Sequence, residues 1–195
     1  MGIKVRESLI HWNYFLALES DLEDVSRYIE FSSKNFKTYS IELAHLLLAS
    51  ASEVDVVVKE ICKILAPNQP ATNINQYREI IVQHLPEFPR EYVYIPRFGI
   101  SLRPWDMWRR RKNPKNPLWW KSYNNVKHRR DTHFEDANLK HVLNSMGGLL
   151  ISIFYFYKMK FSQNRPQLLH NREVTQKLKP DTKLLRLSDD YYYNV

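Results

Sequence analysis

A single cysteine in 195 residues, Cys62, permits no internal disulfide and no Cys-rich zinc site. That excludes a small scaffold held by cross-links and favours a reducing compartment. Four glycines against ten prolines leave little for a Gly-rich phosphate loop, and neither GxGxxG nor a Walker-type GxxxxGK motif occurs. Long apolar runs are also missing. The most apolar stretch, Met146 to Tyr157, closes at Lys158, short of the ~18 residues a bilayer-spanning helix needs. The opening residues Met1 to Arg6 contain no apolar leader, and Arg6 stands where a myristoylation signal needs Ser or Thr. These absences predict a cytoplasmic chain with no cofactor and no membrane partner. A hydrophobic fraction of 44%, with 13% aromatic residues, argues against intrinsic disorder.

What is present is a localised charge. The formal net charge is +8, yet residues 1–96 carry 9 basic and 13 acidic side chains, and residues 131–195 carry 9 and 7. Residues 97–130 carry 11 basic side chains and one carboxylate, Asp106. Arg109, Arg110, Arg111, Lys112, Lys115 and Arg130 belong to this segment, as do Trp105, Trp108, Trp119 and Trp120. Cations interleaved with aromatics can neutralise phosphates and offer planes for unpaired bases, which predicts an RNA-binding surface that includes Trp119 and Trp120. The competing reading is a solvated basic loop whose tryptophans anchor the core.

Hydrophobic spacing predicts a first helix over Asn13–Phe31 and a second from Ile41 to Leu65, capped by Thr38 or Ser40 and stopped by Pro67. A third follows over Asn73–His84. Between about 86 and 117 the character changes. Two short strands, Tyr92–Ile95 and Ile100–Leu102, flank Arg97-Phe98-Gly99, and Pro104, Pro114 and Pro117 break any longer element. Helices over Leu118–His128 and Phe134–Phe161 come next. The predicted fold is all-α: one domain over 1–161, a bundle of four to five main helices with a small β-containing insertion, then a polar tail over 162–195.

The densest polar and aromatic segment is Trp119 to His128. On a helix Lys121, Asn124 and His128 share one face. His128 is flanked by Lys127, Arg129 and Arg130, so a proton shuttle sits beside cations that could stabilise charge on a phosphate. Cleavage of RNA by its own 2′-OH asks for these groups and no metal. The same residues also suit a plain helix cap.

This segment resembles the motif of the HEPN superfamily, in which four to six residues separate an Arg from a His, often with an Asn after the Arg, ahead of the closing helix. Asn124 and His128 match, while Tyr123 stands where the motif has Arg. Tyr39-Ser40-Ile41-Glu42, Ser52-Glu53-Val54-Asp55, Pro104-Trp105 and Trp119-Trp120 extend the resemblance to a bacterial group of uncharacterised HEPN-like proteins, over about residues 12–160. The resemblance implies an all-helical bundle, a homodimer, and a metal-independent endoribonuclease with His128 as acid–base and Asn124 orienting it or the scissile phosphate. The missing cation would come from Lys121, Lys127 or Arg129. It further implies a role in antiphage defence or toxin-type stress response, with an antitoxin or other protein partner. The alternative is a non-catalytic interaction module with a structural Asn–His cap.

Two further signals are weighed. Glu42 and His45 form a lone Glu-x-x-His without the second copy that a carboxylate-bridged metal pair requires. Glu53 lies near the buried stripe of the second helix and is expected to hydrogen-bond across the bundle, either structurally or as an orienter of His128, with Tyr123 alongside.

Overall fold

The computed structural model describes residues 8–110 and 112–193. The chain is mainly α-helical, with one small antiparallel sheet. Its helices are α1 (Ile10–Val25), α2 (Ile41–Leu65), α3 (Ile74–His84), α4 (Leu118–His128), α5 (Arg130–His133), α6 (Leu139–Ser162) and α7 (Asn171–Lys177).

Local chemistry fixes most boundaries. The Ser40 side chain accepts from the Leu43 N–H at the start of α2, and the Asn73 side chain accepts from the Asn75 and Gln76 N–H groups at the start of α3. α1 ends six residues earlier than its apolar spacing predicts. Ser26 turns its hydroxyl onto the Glu23 carbonyl, and the chain bends so that Phe31 enters the core by another route. Likewise α6 begins at Leu139 rather than Phe134, because Asn138 caps it and Phe134–Asp136 form a single 3-10 turn.

α2 and α6 are the central pair, packed along their lengths. The stripe Leu43, Leu47, Ala51, Val54, Val58 and Ile61 on α2 is buried, as are nearly all residues of α6 from Val142 to Tyr157. A hydrogen bond of 2.7 Å between the Ser50 and Ser145 hydroxyls satisfies the polar atoms at their interface. Among the described residues α6 is the one helix long and apolar enough to cross a membrane, and most of it is covered by the rest of the bundle.

Strands β1 (Val93–Ile95) and β2 (Ile100–Leu102) pair antiparallel, with Tyr94 opposite Ser101. Gly99 closes the connection at φ +61°, a conformation that disfavours side chains. The residues around the hairpin are not an appendage. Phe88, Val93, Ile95, Trp105 and Trp108 join the same core as the helices.

Residues 162–193 correct the expectation of a polar tail. Leu169, Val174, Leu178, Leu184, Leu185, Leu187 and Tyr191 are buried against the bundle. Glu19 of α1 accepts backbone N–H bonds from Lys183, Leu184 and Leu185 at 2.8–3.0 Å, and Trp12 Nε1 donates to the Pro180 carbonyl at 3.0 Å. Burial raises the Glu19 carboxyl above its ordinary pKa, while these three bonds pull it down. The segment is therefore part of the domain.

Candidate nucleic-acid interface

Segment 97–130 divides its residue types between inside and outside. Trp105, Trp108, Trp119 and Trp120 are only 0–8% exposed. Trp105 meets Trp108 at 4.3 Å and Trp119 at 5.1 Å between ring centroids, and Phe88 packs on the same cluster. Trp119 Nε1 donates to the Pro104 carbonyl and Trp105 Nε1 to the Gly148 carbonyl. A Cβ on Gly148 would lie 3.1 Å from the Trp119 ring, so the glycine lets α6 approach the cluster closely. These rings have no free face for a base. The expectation that Trp119 and Trp120 stack on nucleic acid is corrected: they are core anchors.

The cations face the other way. Arg97, Arg103, Arg109, Arg110, Lys112, Lys115, Lys121, Lys127, Arg129 and Arg130 are all exposed; Arg111 lies outside the described residues. Arg109 pairs with Asp106 at 2.8 Å. Among the described residues no carboxylate lies within 4 Å of Arg110, Lys112, Lys115, Lys121, Lys127, Arg129 or Arg130.

On α4 the predicted residues share a face but not their partners. Lys121 and His128 are exposed, two turns apart on one face, ~10 Å along the axis. His128 has no hydrogen-bond partner among the described residues. Asn124 does not reach it and donates instead to the Trp120 carbonyl of its own helix at 2.9 Å. Tyr123 is buried, its hydroxyl accepts from Lys127 Nζ at 3.2 Å, and it does not reach His128 either. Glu53 is bonded to His11, with Nδ1–Oε1 at 2.5 Å, and His11 also packs edge-on against Phe156. Glu53 thus orients a histidine, but one on α1 and not His128.

The organiser that sequence reasoning passed over is Asn125. Buried at the end of α4, it donates to Asp136 Oδ2 at 2.7 Å and accepts from Arg129 Nη2 at 2.8 Å. His141 Nδ1 meets the Asp136 carbonyl at 3.0 Å, and Asn138 caps α6 beside it. The network pins the basic α4–α5 corner to the start of α6. Its signal was the i,i+4 spacing of Asn125 and Arg129.

Two consequences can be measured together. Asn125→Ala should lose about 1–3 kcal/mol in urea unfolding, because it strips buried partners from Asp136 and Arg129. Asn124→Ala should lose less than ~0.5 kcal/mol. Burial lowers the His141 pKa, against the raising effects of the Asp136 carbonyl and carboxylate. A depressed folded pKa means the unfolded chain binds more protons, so this contribution is intact above the ordinary histidine range and lost as pH falls through the folded value. Melting curves from pH 8 to pH 5 should show an acid loss that His141→Gln reduces; an equal loss in both would remove His141 from that account.

Among the described residues no three His, Cys, Asp or Glu side chains converge as metal ligands. Glu42 and His45 form an exposed pair at 3.6 Å on the surface of α2. No protein-family model matches the chain, no curated protein matches it in sequence, and no solved structure matches it in fold.

Proposed function

We propose that the chain is a HEPN-like RNA-binding protein that holds phosphates against the exposed cations of residues 97–130. One observation carries this reading. Every described cation of the segment is exposed while its four tryptophans are buried, and Asp106 is its single carboxylate. Such a surface can grip a phosphate backbone but cannot read bases by stacking on those tryptophans, so binding should tolerate sequence and depend steeply on salt.

The sharper form of the proposal is metal-independent cleavage. His128 would exchange the proton, with Lys121, Arg129 or Arg130 beside the phosphate. Its support is that His128 is exposed on the same face as Lys121. The homodimer, the antitoxin partner, the bacterial cytoplasm and the defence or stress role implied by the family resemblance belong to this proposal.

Fluorescence anisotropy with a labelled single-stranded RNA of about 20 nucleotides tests binding. If about five phosphates are neutralised, affinity should fall on the order of 100-fold between 50 and 200 mM salt. A change below about threefold would sink the RNA reading. The same mixtures in EDTA follow cleavage: products from the parent and none from His128→Ala support catalysis. Intact RNA throughout would leave a binding protein.

A further inference from the structure

A second basic site lies on the C-terminal segment. A cavity of about 500 Å³ opens between the Pro96–Arg97 turn, the end of α7 and residues 179–193. That volume suits a small ligand. Its walls carry four cations, Arg97, Lys179, Lys183 and Arg186, against one carboxylate, Asp181.

The four cations are held differently. Asp181 engages Lys179 through both oxygens, at 2.7 and 2.9 Å. Arg97 is only loosely paired, 3.9 Å from Glu23. Lys183 has no carboxylate within 4 Å among the described residues, although its backbone N–H is fixed by Glu19. Arg186 is the most ordered. Its backbone pairs with Tyr94 in both directions, and its guanidinium lies over the Tyr192 ring at 4.6 Å, with Asp189 at 3.3 Å. Asp189 engages Nη2 only, so a planar guanidinium held on the ring keeps its other N–H groups for an oxyanion.

We infer that this cavity binds a compact, multiply charged phosphate about the size of pyrophosphate or triphosphate. A single phosphate would leave most of the volume empty, whereas two or three linked phosphates fill more of it and carry charge to match several of the cations that line it. A bare basic surface gives no enclosure, and here the cations line a hollow. The source is either a free oligophosphate or the 5′-triphosphate end of an RNA. The inference does not depend on the α4 surface.

Isothermal titration of the full chain at 0.15 M NaCl with pyrophosphate and with tripolyphosphate tests it. Saturable binding of one anion per chain is expected, weakened at least tenfold in Lys183→Ala and in Arg97→Ala. Both replaced side chains are exposed, and far-UV circular dichroism checks that the variants fold. The double variant Lys121→Ala/Arg130→Ala should bind pyrophosphate and tripolyphosphate as the parent does, whatever it loses toward RNA. Tighter binding of a 5′-triphosphate RNA than of its 5′-hydroxyl twin, lost in Lys183→Ala, would assign the ligand to an RNA end; binding of tripolyphosphate alone would assign it to the free anion. No saturable binding of any probe overturns the inference. So does tripolyphosphate binding that falls in the α4 variant and persists in Lys183→Ala.

Discussion

Replacing Glu19 by alanine is expected to remove about 3–5 kcal/mol of folding stability, the largest effect of any single side chain described above. The carboxylate is 2% exposed and is the partner of three successive backbone N–H groups at residues 183–185. Alanine would strand those donors where water reaches them poorly, and each stranded donor costs about 1–3 kcal/mol, part of it recovered by local rearrangement. Glutamine keeps one accepting oxygen but turns an N–H₂ toward the remaining donors, so Glu19→Gln should lose roughly half as much. Urea unfolding gives the totals. Hydrogen exchange at residues 169–191 gives the location, since protection there should collapse first. A loss below about 1 kcal/mol with protection unchanged would mean that buried Leu184, Leu185 and Tyr191 hold the segment without the carboxylate.

The fourfold variant Arg110→Ala, Lys121→Ala, Lys127→Ala, Arg130→Ala is expected to weaken RNA binding on the order of 100-fold at 0.15 M salt. Four lost phosphate contacts should also make the slope of log affinity against log salt shallower by about 2.8, at ~0.7 per contact for single strands. Folding should barely change. All four side chains are exposed, none lies within 4 Å of a described carboxylate, and only Lys127 has a side-chain partner, the Tyr123 hydroxyl. A salt slope equal to the parent's would place the RNA elsewhere, whatever the fall in affinity. Single substitutions should each give a few-fold loss of similar size on different sequences, the behaviour of contacts that position a backbone.

The readable parts of this protein were those set by neighbours in the chain. Ser40, Pro67, Asn73 and Pro117 mark helix ends through capping and ring geometry, and α2, α3 and α4 lie where those residues put them. The hairpin followed from Gly99 and two alternating runs. What sequence could not settle was direction. A tryptophan beside an arginine is equally consistent with a surface plane and a core anchor, and only the packing of Phe88 and Gly148 against the cluster decides. Partnership at long range was hidden for the same reason. Glu53 finds His11 across 42 residues, a pairing no spacing rule contains. The polar look of 162–193 concealed leucines spaced too irregularly for one helix, yet each reaches the core from a different turn.

The bond between Glu19 and residues 183–185 also orders events in time. It joins the first helix to a segment 164–166 residues later. At ~5–20 residues per second of synthesis, roughly 10–30 s pass between making one partner and the other. Throughout that interval Glu19 lacks the donors of residues 183–185, while α2, α3 and α4 are made in turn. The native state can close only when the last segment of donors arrives, so a ribosome that stalls before Lys183 leaves a chain whose first helix is still unsealed.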